Sequence, residues 1–341
     1  MKLKKALLGT TALLGAGAAL LVAQPAAALE VKVGGFSRFL AAFGDLKDES
    51  GNADSQSFYF RNDTEVHVTV SGKDDATGME YGAKVEFEAD TNANANTDET
   101  WIWVSGNWGE LRFGDEDGAA DNMKVGGFSV AAGTGGIDGA GEVASAPIFF
   151  DNSGDATKIR YDSPVIGGFQ LGVSYTPDSG HGGAAANPSH NTPADRKHWI
   201  EGGLVYSGSF SGVDIKASGV LGFAEYEGND NDFFGWGVGA QVGFMGFKVA
   251  GGFFDENDDL GGDRTIWNVG GGATLGPVDL SVTYARADLD ATNTEPWNLV
   301  FSGTVGLFPG VSLQGDVSIF DRDAGGDDDG VTGVARLHIS Y

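Results

Sequence analysis

Tyr81-Gly82-Ala83-Lys84-Val85-Glu86-Phe87 sets an apolar side chain at every second position, with glycine or a charge between. Successive side chains of a strand point to opposite faces, so period two reads as a strand with two unlike surfaces. The pattern recurs at Val66, Val68 and Val70, at Phe169, Leu171, Val173 and Tyr175, and at Trp297, Leu299 and Phe301. About 16 such stretches follow one another with no helical segment between them, which suits a closed barrel greasy outside and wet inside. The expected fold class is all-β, a transmembrane antiparallel β-barrel.

The connections alternate in length. Gly106 to Gly109, Met245-Gly246, Gly276-Pro277 and Phe308-Pro309-Gly310 are short; Gly44 to Asp54, Pro177 to Lys197 and Asp321 to Gly330 are long. Short turns at one end and long loops at the other are the architecture of an outer-membrane barrel. Aromatics near the strand ends (Phe58, Trp101, Trp103, Trp199, Phe233, Phe234, Trp267, Trp297, Tyr341) are expected to form girdles at the two interfaces. A soluble β-sandwich is the rival, and the export signal and the glycine-rich, charged polar face argue against it.

Residues 1–28 read as a signal peptide. Lys2, Lys4 and Lys5 precede an apolar stretch, and Pro25-Ala26-Ala27-Ala28 ends it with an Ala-x-Ala processing site. Residues 29–341 are expected to form a single barrel domain.

The chain holds 56 glycines in 341 residues, 9 prolines and no cysteine. That glycine share is about twice the usual one of roughly 7%. Net charge is -27, and the three lysines of the signal are balanced by no acid, so the remainder is more negative still. Such a chain is a poor partner for nucleic acid and should attract cations.

Asp115 to Asp155 interrupts the strands for about forty residues, and connections of this length are usually functional. It carries Asp115, Glu116, Asp117, Asp121, Asp138, Glu142, Asp151 and Asp155 against Lys124. Polar-face positions on the strands include Arg38, Arg61, Lys84, Arg112, Lys158, Arg160 and Arg336. Folded into the lumen, this loop would be a constriction, with its acids facing wall bases across the narrowest point and favouring cations. Asp327-Asp328-Asp329, Asp258-Asp259 and Asp74-Asp75 read as solvated loop charge, with a loop-bound Ca²⁺ as the alternative. His181, His190 and His198 have no metal-site spacing, and His67 and His338 fall on the polar face.

Several stretches carry a family resemblance. They are Glu30-Val31-Lys32-Val33-Gly34-Gly35, Gly78-Met79-Glu80-Tyr81-Gly82-Ala83, the run from Val104 to Asp115 (Val-Ser-Gly-Asn-Trp-Gly-Glu-Leu-Arg-Phe-Gly-Asp) and the terminal Tyr341. Across the whole mature chain this resembles the general diffusion porins of alphaproteobacteria. The resemblance implies sixteen strands, a homotrimer in outer-membrane lipid and lipopolysaccharide, and a third long loop folded inward. It also implies passive diffusion of ions and small hydrophilic solutes, with Tyr341 read by the barrel-insertion machinery. The alternatives are a substrate-specific porin, a barrel enzyme or an adhesin. No Gly-x-Ser-x-Gly elbow supports an enzyme, and none is expected.

Overall fold

The computed structural model describes residues 29–45, 57–90, 97–143, 146–179, 196–228, 230–323 and 329–341. The expected signal peptide, His181, His190, Asp327 and Asp328 lie outside the described residues.

Sixteen strands close into one antiparallel barrel in which each pairs with its neighbours in sequence. They run β1 (Glu30–Gly44), β2 (Phe58–Lys73), β3 (Glu80–Glu88), β4 (Thr100–Gly106), β5 (Gly109–Asp115) and β6 (Thr157–Asp162). Next come β7 (Phe169–Asp178), β8 (Arg196–Phe210), β9 (Val213–Tyr226), β10 (Asp232–Phe244) and β11 (Phe247–Asp258). The last five are β12 (Arg264–Leu275), β13 (Val278–Leu289), β14 (Trp297–Phe308), β15 (Val311–Asp321) and β16 (Asp329–Ser340). The seam is β1 on β16, from Phe36 opposite Ser340 to Gly44 opposite Thr332. Beyond it, Tyr341 exchanges backbone hydrogen bonds with Gly35 at 3.0 and 3.1 Å. Among the described residues no sheet edge is left unpaired, as a membrane barrel requires.

Register separates the two faces. Val66, Val68 and Val70 of β2 oppose Phe87, Val85 and Ala83 of β3 on the outside, while His67 and Thr69 oppose Glu86 and Lys84 on the inside. Outer faces expose Phe60, Ile102, Leu171, Val238, Val249, Leu280 and Leu313, as lipid contact demands. Among the described residues no helix is long and apolar enough to cross a membrane.

Several strands run past the end of their apolar alternation on the long-loop side. β11 continues through Asp255 to Asp258, and β13 through Arg286 to Leu289. Polar residues there broke the apolar alternation but still pair as hairpin, because ladder bonds need only the backbone. At the other end the two-residue turns are tight. Met245 (φ 51°) and Gly246 (φ 85°) both take positive φ, the geometry whose twist matches the flanking strands.

The aromatic expectation needs correcting. Trp199 and Phe233 are buried inside the barrel with Phe150 and Phe254. Trp101 also faces inward, its ring lying under Lys84 and Arg112, and Trp103 shares that face because it pairs with Gly82 and Arg112. An aromatic at a strand end has an even choice of face, and these four took the lumen. The outer girdle at the long-loop end keeps the expected Phe234, Trp267 and Trp297, with ring contacts of Trp236 on Phe253, Trp267 on Tyr284 and Tyr284 on Trp297. At the short-turn end Phe210, Phe244, Phe247 and Phe308 stand exposed.

Candidate functional site

The chain between β5 and β6 lies inside the barrel. It opens with a one-turn helix, α1 (Ala119–Met123), and continues through 3₁₀ turns at Gly127–Val130 and Gly136–Asp138. Its backbone is fastened to wall side chains one strand after another. Ala119 N donates to Ser174 on β7 (3.0 Å) and Gly127 N to Asn268 on β12 (2.7 Å). Ala132 N and Ile137 N donate to Ser281 and Thr283 on β13 (2.7 and 3.1 Å), Gly133 N to Thr304 on β14 (2.9 Å), and Thr134 N to Asp316 on β15 (2.8 Å). The segment then turns back. Asn268 Nδ2 donates to the Ile148 carbonyl (2.9 Å), Asp151 N to Glu256 (2.9 Å) and Ser153 Oγ to Glu201 (2.6 Å). A buried irregular segment must satisfy its own peptide groups, and hydroxyl, amide and carboxylate side chains on the wall do so here.

This route follows glycine. A Cβ on Gly239 would sit 1.7 Å from the Val125 carbonyl oxygen, and one on Gly270 2.3 Å from that of Gly127. Glycines on the inner face therefore let the loop backbone rest directly on the wall. Over them Met123, Phe149 and Phe150 pack with Trp199, Val220, Phe233 and Phe254 into the main apolar core.

The sequence-identified acids divide into two groups. Four are anchors that hold the loop to the wall. Glu116 is buried and accepts from Arg112 (3.1 Å) and Arg160 (2.9 Å) at the root of the loop. Glu142 accepts from Tyr59 (2.9 Å) and pairs with Arg61 (3.4 Å), docking the loop tip on β2. Asp151 pairs with Arg196 (2.9 Å) and Arg264 (2.5 Å). Burial works against its charge, but these two guanidiniums outweigh it and hold its carboxyl low. Asp115 is the last residue of β5 and accepts from Thr157.

Asp117, Asp121, Asp138 and Asp155 keep solvent access. Asp121 holds Lys124 and accepts from Asn152 at 3.2 Å. Glu99, just before β4, joins this group; sequence reading passed over it because it sits in a different loop. Carboxylate oxygens of Glu99, Asp117 and Asp155 lie within 4.8 Å of one another. Burial, then the neighbouring Asp117, pushes Glu99 up to about 7. Burial, then Asp121 and Asp155, pushes Asp117 up to about 6. Asp138 and Asp155 are raised as well, chiefly by burial.

The bases divide likewise. Lys158 is buried and donates to the carbonyls of Glu116, Gly154 (2.6 Å) and Ala156 (2.8 Å), so it rivets the loop rather than lining the bore. Arg160 is buried between Glu116 and Asp162 (2.9 Å each) in the same seam. Both corrections have one cause: β6 lies beneath the loop's root. Arg38 and Lys84 stand on the inner wall, Arg336 is buried in it, and Arg61 and Arg112 also hold the loop. Arg38 pairs with Asp63 (3.1 Å), Arg336 Nε donates to Gln314 (2.7 Å), and Lys84 pairs with Glu86. Of the acid pairs weighed for Ca²⁺, Asp258 is committed to Arg196 and Tyr226, and Asp74 to Thr77 and the Ala76 N–H of its own turn.

The profile of the Gram-negative porin family matches residues 9–325. The chain belongs to that family. Two uncharacterised rickettsial proteins are similar to this porin. One, from Rickettsia bellii, is 27% identical over 192 residues, 46% of this chain and 43% of its own length. The other, from Rickettsia prowazekii, is 25% identical over 206 residues, 52% of this chain and 43% of its own length. The chain thus spans less than half the length of these relatives. Among solved structures, the anion-selective porin of Comamonas acidovorans superposes with a TM-score of 0.70 at 19% identity, covering 92% of this chain and all of that one. An engineered Rh. blastica porin gives 0.62 at 16% identity, with the same coverage. These two establish the shared fold.

Proposed function

We propose that this porin forms a water-filled channel across the outer membrane, passing ions and small hydrophilic solutes down their gradients with a preference for cations. The observation that carries the reading is a closed barrel, apolar outside, whose polar lumen is narrowed by a segment fastened to the wall. Membership of the porin family supports it. The preference for cations rests on Glu99, Asp117, Asp121, Asp138 and Asp155, which keep solvent access on or beside the loop, whereas most nearby bases are already paired. The superposed Comamonas porin is described as anion-selective; at that identity the likeness extends to fold alone. Reversal potentials in a KCl gradient across planar bilayers test the reading, and an anion preference would refute the acidic filter. Of the acidic groups, Glu99, Asp117 and Asp155 offer one of two convergent carboxylate sets of the kind a loop-bound Ca²⁺ would need, the other being Glu65, Glu88 and Asp98.

A homotrimer fits the wall itself. β4, β5 and β6 have only 7, 7 and 6 residues, against the roughly 9–11 that a tilted strand needs to cross the hydrocarbon. Beside them, on the outer face of β2 to β4, lies an apolar hollow formed by Leu29, Val70, Tyr81, Ala83, Ile102 and Val104. A second copy seated there would cover this hollow and shield the adjoining short strands from lipid. Cross-linking in native membranes tests this. In the same reading lipopolysaccharide meets the remaining outer face, and Tyr341 at the seam is the residue offered to the insertion machinery. No step of this function calls for an enzyme.

A further inference from the structure

Low on the open side of the lumen, His67 stands on the inner face of β2. Glu65 shares that face two residues earlier, and Glu86 of β3 is its direct partner in register. His67 Nε2 lies 2.9 Å from Glu65 Oε2 and 3.4 Å from Glu86 Oε2. One donor atom from each of the three falls within 4.8 Å of the others. We propose that Glu65, His67 and Glu86 form a lumenal binding site for a first-row transition-metal dication, of which Zn²⁺ is the best fit.

The chemistry follows from the donor set. Tetrahedral Zn²⁺ binds imidazole nitrogen at about 2.0–2.1 Å and carboxylate oxygen at about 2.0–2.2 Å, so its ligand atoms stand about 3.4 Å apart. The two nitrogen–oxygen separations, 2.9 and 3.4 Å, lie within about 0.5 Å of that value, and all three donor atoms lie within 4.8 Å of one another. An imidazole among the ligands favours Zn²⁺ over Mg²⁺ or Ca²⁺, which take oxygen alone. Three protein ligands leave a fourth position open to the lumen.

Surrounding groups orient the ligands. Lys84 holds the other oxygen of Glu86, Oε1, which leaves Oε2 turned toward His67. Phe36 packs edge-on against the imidazole, with ring centroids 6.1 Å apart at 84°. Such outer contacts fix the direction of metal ligands. Local charge also favours a dication. Glu65 directly opposes Glu88 across the β2–β3 ladder, and Asp98 brings a third carboxylate to that pair. Like charges opposite one another weaken a ladder, and a bound dication would offset that repulsion.

The site does not depend on conductance, so its test is binding. Full-length folded protein in detergent is titrated with ZnCl₂ by calorimetry, with MgCl₂ as the parallel probe. The expected result is saturable binding of one Zn²⁺ per chain, at least about tenfold weaker in both H67Q and E65Q and far weaker for Mg²⁺. Heat-resistant gel mobility certifies that each variant is folded; if H67Q fails that check, E86Q replaces it. Absence of saturable Zn²⁺ binding, equal binding in the folded variants, or equal affinity for Mg²⁺ overturns the proposal. Failure of the channel reading would appear only in bilayer currents and would leave the calorimetry intact.

Discussion

The two halves of the barrel wall share strand geometry and an apolar exterior, yet their inner faces behave differently. On β9, Ser218, Val220, Gly222 and Ala224 are all buried beneath the loop, whereas β2 has no buried residue at all. The covered half, β7 to β15, presents glycine, serine, threonine and asparagine inward. The more open stretch, β2 to β4, presents Asp63, Glu65, His67 and Lys84. A backbone can lie flush on the first surface and bond to its hydroxyls and amides. On the second surface longer charged side chains pair with one another, as Lys84 does with Glu86 and Arg38 with Asp63, and stand beside the lumen. Inner-face side-chain size therefore decides which part of the lumen is filled.

The largest expected effect tests whether the root of the loop is held by charge. R160M removes one partner of buried Glu116 and should lower unfolding stability by about 3–5 kcal/mol, read by urea titration in detergent. A change below about 1 kcal/mol would mean that the seam behaves as a solvated surface pair.

Next is the glycine track. G239V forces a side chain into the Val125 carbonyl and should cost about 1–3 kcal/mol or displace the loop, seen as a rise in single-channel conductance. The outward-facing control G219A, whose Cβ would meet nothing within 4 Å, should leave both unchanged. If both variants behave alike, the covered half owes nothing to glycine.

Asn268 fastens both legs of the loop, accepting from Gly127 and donating to Ile148. N268L should cost about 1–3 kcal/mol, because two hydrogen bonds go and loop peptide groups are left buried.

The smallest effect is on selectivity. With Glu99 at about 7 and Asp117 at about 6, cation preference should fall as pH drops from about 8 to about 5 and these carboxylates take up protons. Their raised values mean that the folded state binds more protons than the unfolded chain in this window. Folding stability should accordingly rise as pH falls through it. Reversal potentials and urea titrations across the range check both signs, and a flat selectivity profile would place the filter elsewhere.

The sequence by itself determined the barrel, because period two is a local property and each strand announces its two faces. It marked Asp115 to Asp155 as the interruption, and it put Arg38, Lys84 and Arg336 on the inner face by parity alone. Strand ends were less legible, since polar hairpin residues of β8, β11 and β13 pair without an apolar signature. Only the tertiary structure decided which acids do which work. Glu116, Glu142 and Asp151 are indistinguishable from Asp117, Asp138 and Asp155 along the chain. Their roles are set by the guanidiniums that strands distant in sequence bring beside them. Glu99 enters the acidic group for the same reason, as do Trp199 and Phe233 in the apolar packing beneath the loop. Alternation fixes which way a side chain points, but what it meets depends on how the ring closes and where the loop comes to rest.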